Sequence, residues 1–87
     1  MKLFHATTQN KAKKYRESKA IHSPVRGFTT LTGAMAWAMK THRTVIMEFE
    51  AYAPHKLPDH HNTFGEAWWN DGNIEQYKCV FSANGDA

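Results

Sequence analysis

The chain changes period most sharply between residues 31 and 50. In LTGAMAWAMK, the residues Leu31, Ala34, Met35 and Ala38 recur at i, i+3, i+4 and i+7, which lines them up along one side of a helix. Thr30 stands in front as a natural N-cap. A few residues on, TVIMEFEA alternates: Val45, Met47 and Phe49 point one way, while Ile46, Glu48 and Glu50 point the other. That is the clearest strand in the chain, and the small alanines before it suit close packing of the helix against a sheet.

The remaining segments fit around this pair. KLFHATT reads as a first strand, with Leu3, His5 and Thr7 on one face and Phe4 and Ala6 on the other. QNKAKKYRESKAI reads as a helix, rich in helix formers, with Ala12 and Tyr15 sharing a side. HSPVRG interrupts it, because Pro24 disfavours a helical Ser23, and GFTTL is short and extended. Pro54 and Pro58 are expected to end strand pairing. Thr63 and Glu66 have the spacing of a capping box for a short third helix, FGEAWWN. IEQYKCVFS closes the series as a strand with Glu75, Tyr77, Cys79 and Phe81 on one face, and SANGDA reads as a frayed tail. The expected fold is a single α+β domain over residues 1–87, with a small mixed or antiparallel sheet, two main helices and a short third.

With 87 residues the chain is near the lower size at which one apolar core suffices. Cys79 is its only cysteine, so no disulfide forms within it and a four-cysteine zinc module is excluded. With nothing to staple the fold covalently, the three Trp, five Phe and three Tyr are expected to supply much of the burial. The start MKLFHATT turns polar at once and no apolar run approaches a membrane span, so a cytoplasmic protein with no membrane partner is expected.

Charge is unevenly placed. Residues 1–43 hold nine of the eleven Lys and Arg and one acid, a net +8, whereas residues 44–87 hold two lysines and seven acids, a net −5. The basic half would attract phosphates of a nucleotide or a nucleic acid, unless the two halves neutralise one another on the folded surface.

Several residues have chemistry-bearing side chains. His55, Asp59, His60 and His61 are metal-ligand types, but His60 and His61 are adjacent and no helical or strand spacing fixes a ligand set. No metal is expected, and these histidines are read as tying down loop backbone. Glu48 and Glu50 lie roughly 7 Å apart along one strand face, and a solvated face explains them. Cys79 reads as a small buried hydrophobe. Trp68 and Trp69 cannot point the same way on a helix, so one would anchor the core while the other lies at a surface or a pocket lip.

One arrangement joins these pieces. His5-Ala6-Thr7 ends the first strand, a helix follows, and Arg26-Gly27-Phe28-Thr29-Thr30 leads into the helix AMAWA and the strand TVIMEF. This resembles the ADP-ribosyltransferase-like superfamily over about residues 2–50, with Ala6 where the family has glycine. The resemblance implies NAD or a related nucleotide as ligand. His5 would hydrogen-bond the ribose with Thr7 alongside, Phe28 and Thr29 would line the nicotinamide or ribose side, and Arg26 would meet phosphate. It further implies that Glu75, with Glu48 in reserve, would act at the anomeric carbon, making His5 and Glu75 the catalytic pair if ADP-ribose is transferred. The stacking role is open to Trp37, Trp68 or Trp69.

HKLPDHHNTFGEAWW also has the look of the small accessory proteins that phages encode. On that alternative the chain is a non-catalytic module, an inhibitor that docks on a host protein or a nucleic acid through Trp68, Trp69 and the basic first half.

Overall fold

Alternation at residues 45–50 organises the whole molecule. The computed structural model describes residues 1–58 and 63–83, and among these it forms β1 (Lys2–Thr7), α1 (Gln9–Ser18), β2 (Val25–Phe28), α2 (Leu31–Thr41), β3 (Val45–Glu50), β4 (Pro54–Lys56), β5 (Ala67–Asn70) and β6 (Tyr77–Ser82). The strands make one antiparallel sheet in the order β4-β5-β2-β1-β3-β6. The protein is thus a small α+β fold with a six-stranded antiparallel sheet and two helices.

Both faces of the sheet are covered. Val45, Met47 and Phe49 of β3 join Leu3 and Val25 in a core that includes Ala12 of α1, whereas Ile46 joins Phe28 and Ala67 in a second core with Ala34 and Ala38 of α2. A period of two on β3 therefore feeds two layers at once. Each large side chain buried this way contributes about 1.5–3 kcal/mol. No helix of the described residues is long and apolar enough to cross a membrane.

The helix ends follow their local chemistry. Thr8 caps α1 by accepting from the Lys11 amide at 3.2 Å, and Thr30 caps α2 by accepting from the Gly33 amide at 3.0 Å. Lys19 (φ 62°) and His42 (φ 58°) adopt the left-handed conformation that stops each helix, so α1 ends at Ser18 and does not run on to residue 21.

Three expectations are corrected. FGEAWWN is not a short third helix: Ala67–Asn70 is the strand β5, paired on one side with β2 and on the other with β4. Two adjacent tryptophans suit an extended backbone, which sends their rings to opposite faces. Pro54 does not prevent pairing either. It opens β4 at the sheet's edge, where its lack of an N–H is tolerated. Last, β6 begins at Tyr77, and its ladder with β3 shifts register between Ile46 and Met47. Phe81 consequently pairs with Ile46 while Cys79 pairs with Met47, so those two side chains do not share a face. Glu75 lies before the strand.

Asn70 locks the β4 edge. Its Oδ1 accepts from the Tyr52 and Ala53 amides at 3.0 and 2.9 Å, and its Nδ2 donates to the Gly72 carbonyl at 2.9 Å. Asn70 itself is fully buried, and these three bonds satisfy its amide, which is why so small a core tolerates it.

Candidate ligand cleft between strands β1 and β2

The sheet splits at its centre. β1 pairs with β3 at six successive positions, Lys2 to Thr7, but with β2 at only one, Phe4 opposite Phe28. Gly27 permits the close crossing at that point: a Cβ there would stand 2.9 Å from Leu3 Cβ and 3.1 Å from the Phe4 carbonyl oxygen. Beyond it the strands diverge, and a cleft of about 740 Å³ opens between the C-terminal end of β1 and the start of β2. That volume is ample for a small organic ligand.

His5 stands in the fork. Its Nδ1 lies 2.7 Å from the Arg26 carbonyl oxygen, and its Nε2 lies 3.5 Å from the Tyr15 hydroxyl. A carbonyl only accepts, so Nδ1 carries the hydrogen and Nε2 keeps its lone pair. Burial pushes the His5 pKa down to about 4, opposed by the Arg26 hydrogen bond and reinforced by the positive charges of Lys11 and Arg43. The imidazole is therefore neutral at pH 7, a fixed donor at one nitrogen and an acceptor at the other.

Around it the lining has one sign of charge. Lys11, Arg26 and Arg43 contribute cations, and no Asp or Glu lines the cleft among the described residues. Aromatic rings form another wall, with Trp37 6.3 Å from Phe28 and 5.8 Å from Phe64, centroid to centroid. The Arg43 guanidinium lies 5.9 Å from the Trp37 ring centre, within cation–π range. Such a hollow suits an anionic ligand carrying a flat ring.

Four of the five residues read from the sequence as ligand contacts meet here: His5, Thr7, Arg26 and Phe28 all line the cleft. Thr29 does not; its amide donates to the Glu66 carbonyl, tying β2 to the approach to β5. The expected carboxylate is not delivered. Glu75 is exposed outside the lining, and Glu48 is occupied near Lys2 and Lys78 at 3.9 and 4.0 Å. Trp68 packs against the α1-side core and donates from Nε1 to Glu66 Oε1 at 2.6 Å, while Trp69 stacks on His55 with centroids 4.5 Å apart. Of the three tryptophans only Trp37 lines the cleft.

Lys11, Tyr15 and Arg43 belong to the site without having been singled out for it. The signal available was the basic first half, whose charges at Lys11, Arg26 and Arg43 the fold brings into one hollow. Asp59, His60 and His61 lie outside the described residues, and no group of three or more metal-ligating side chains occurs among the described ones. Compared with family models, curated proteins and solved structures, the chain gives no match in any of the three.

Proposed function

We propose that the chain is an ADP-ribosyltransferase-like domain that binds NAD or a related ribonucleotide in the β1–β2 cleft. The observation that carries this reading is the convergence of His5, Thr7, Arg26 and Phe28 on one hollow that is cationic, aromatic and free of acids among its described lining residues. Neutral His5 keeps Nδ1 bonded to the Arg26 carbonyl, so the ring is oriented before a ligand arrives, and a ribose hydroxyl would take the place of the Tyr15 hydroxyl as donor to Nε2. The cations suit a pyrophosphate, and the aromatic wall suits a base or a nicotinamide ring.

The proposal is binding. Transfer of ADP-ribose would call on a carboxylate at the anomeric carbon, the role expected of Glu75, which lies outside the cleft's described lining. Thermal denaturation with millimolar NAD, ADP-ribose and a 2′-phosphorylated nucleotide tests it. At least one should stabilise the protein by about 1 kcal/mol or more, as expected when ligand exceeds its Kd severalfold. His5→Ala should abolish that shift. No shift with any of the three would end the nucleotide reading.

A second reading, a non-catalytic docking module, draws on the edge of the sheet. His55 on β4, Trp69 on β5 and Arg26 on β2 are successive cross-strand neighbours, a cationic and aromatic row on one face. Trp69→Ala leaves the core intact because Trp69 belongs to neither apolar cluster. If binding to single-stranded nucleic acid or to a protein partner is unchanged in that variant, the row is not the docking surface.

A further inference from the structure

Thr7 carries a buried hydroxyl. The residue is 1% exposed, and its Oγ1 has no hydrogen-bond partner among the described residues. A valine would fill the same space without leaving a polar atom unsatisfied, so the hydroxyl is a liability in the free protein. Yet Thr7 forms part of the cleft lining. The charges nearby agree in sign. Lys11 lies within the first turn of α1, just beyond Thr7 and its neighbour Thr8. Arg43 lies two residues ahead of Val45, the β3 partner of Thr7 in the ladder. Both lysine and arginine line the cleft and both depress the proton affinity of His5, so their charges bear on the space in front of that ring. Arg43 is further steadied by Trp37.

We propose that Thr7, Lys11 and Arg43 form a phosphate subsite at the C-terminal end of β1, where they hold the phosphate or pyrophosphate of the bound ligand. This rests on the nucleotide reading of the cleft and names the group gripped and the residues that grip it. A phosphate oxygen accepts from the Thr7 hydroxyl, from the Lys11 ammonium and from the planar fork of Arg43, so the one unsatisfied donor and two cations gain partners together. Arg26, the phosphate contact expected from the sequence, has a different principal task. Its carbonyl fixes His5, and its side chain is exposed at the cleft's other wall.

Isothermal titration with inorganic pyrophosphate, ADP-ribose and adenosine tests the subsite in wild type, Thr7→Val, Lys11→Met and Arg43→Met. Wild type should bind pyrophosphate and ADP-ribose, and each substitution should weaken both by about tenfold or more, the usual loss for a hydrogen bond to a charged group. Adenosine affinity should be the same in all four proteins. Thr7→Val should also melt at a higher temperature than wild type when free, while gaining less from ADP-ribose; a purely structural Thr7 would not separate those effects. If Thr7→Val does not fold, Lys11→Met and Arg43→Met, both altered near the surface, carry the same test. ADP-ribose binding that needs His5 but is indifferent to Thr7, Lys11 and Arg43 overturns the subsite and leaves the nucleotide reading standing. Pyrophosphate binding that needs the three residues, with no binding of NAD or ADP-ribose, supports the subsite and removes the nucleotide reading. Absence of pyrophosphate binding to wild type at millimolar concentration overturns the subsite outright.

Discussion

The His5 imidazole donates from Nδ1 to the Arg26 carbonyl oxygen at 2.7 Å, immediately past the one position at which β1 and β2 pair. A side chain thus bonds the carbonyl where the backbone ladder has stopped, and it does so at the fork of the sheet. The same contact links fold to site. It satisfies the Arg26 carbonyl while the strands part, and it leaves Nε2 as the acceptor beside the Tyr15 hydroxyl, 3.5 Å away.

His5→Ala removes that donor and leaves the Arg26 carbonyl to find water or go unpaired. The expected cost is about 1–3 kcal/mol. His5→Asn, whose amide nitrogen sits close to the position of Nδ1, should restore part of it. Urea denaturation of the three proteins at pH 7 checks the ranking, and equal stability of His5→Ala and wild type would show that the contact holds nothing together.

Stability should fall with acidity over a defined window. The folded His5 titrates at about 4, below the ordinary histidine value of 6.5, so between these pH values the unfolded chain binds a proton that the folded protein refuses. The contribution is fully present above pH 6.5 and is lost as the pH falls through about 4. A shift of this size is worth on the order of 3 kcal/mol at most. Stability curves of wild type and His5→Asn at pH 7, 5.5 and 4.5 should converge as the pH drops, and parallel curves would assign the acid sensitivity to other groups.

Gly27→Ala tests the strand crossing that opens the cleft. The new methyl group would meet Leu3 Cβ at 2.9 Å and the Phe4 carbonyl at 3.1 Å, and neither atom is the free end of a flexible side chain. Relief requires the strands to move apart, at a cost of about 1–3 kcal/mol. Ligand affinity should drop as well, because His5 and Arg26 are set by that crossing. Denaturation midpoints together with ADP-ribose titration would detect both effects.

The parts of this fold that were legible in the sequence are those governed by local period. The alternation at Val45–Glu50, the placement of Ala34, Met35 and Ala38 along one side of α2, and the Thr30 cap translate directly into structure, whereas Leu31 in the first turn stays exposed. Strand β5 escaped because AWWN is too short for its period to separate helix from strand, and what decides it is pairing with β2, some forty residues earlier. His5, Thr7, Arg26 and Phe28 could be gathered because they sit in two compact motifs. Arg43 could not. It follows the left-handed His42 in a connection whose direction depends on how α2 packs over the sheet. Glu75 lies outside the described lining for a topological reason: it precedes β6, and β6 pairs with β3, on the far side of β1 from the fork.

Trp37 offers a direct view of the ligand's flat ring. It is 36% exposed, the most accessible member of the Phe28–Trp37–Phe64 wall, so replacing it spares the core. Stacking of a base or a nicotinamide on an aromatic side chain contributes about 1–3 kcal/mol. Trp37→Ala should therefore weaken NAD and ADP-ribose by roughly ten- to a hundredfold, by the usual conversion of free energy to affinity. Trp37→Phe should retain most of the affinity, because the wall survives. Fluorescence separates the two possibilities for where the ring lies. A base stacked on Trp37 quenches its indole, and that quench should vanish in Trp37→Phe while binding persists. Trp68 and Trp69 remain in both proteins and line no part of the cleft, so quenching that survives in Trp37→Phe would place the ring elsewhere.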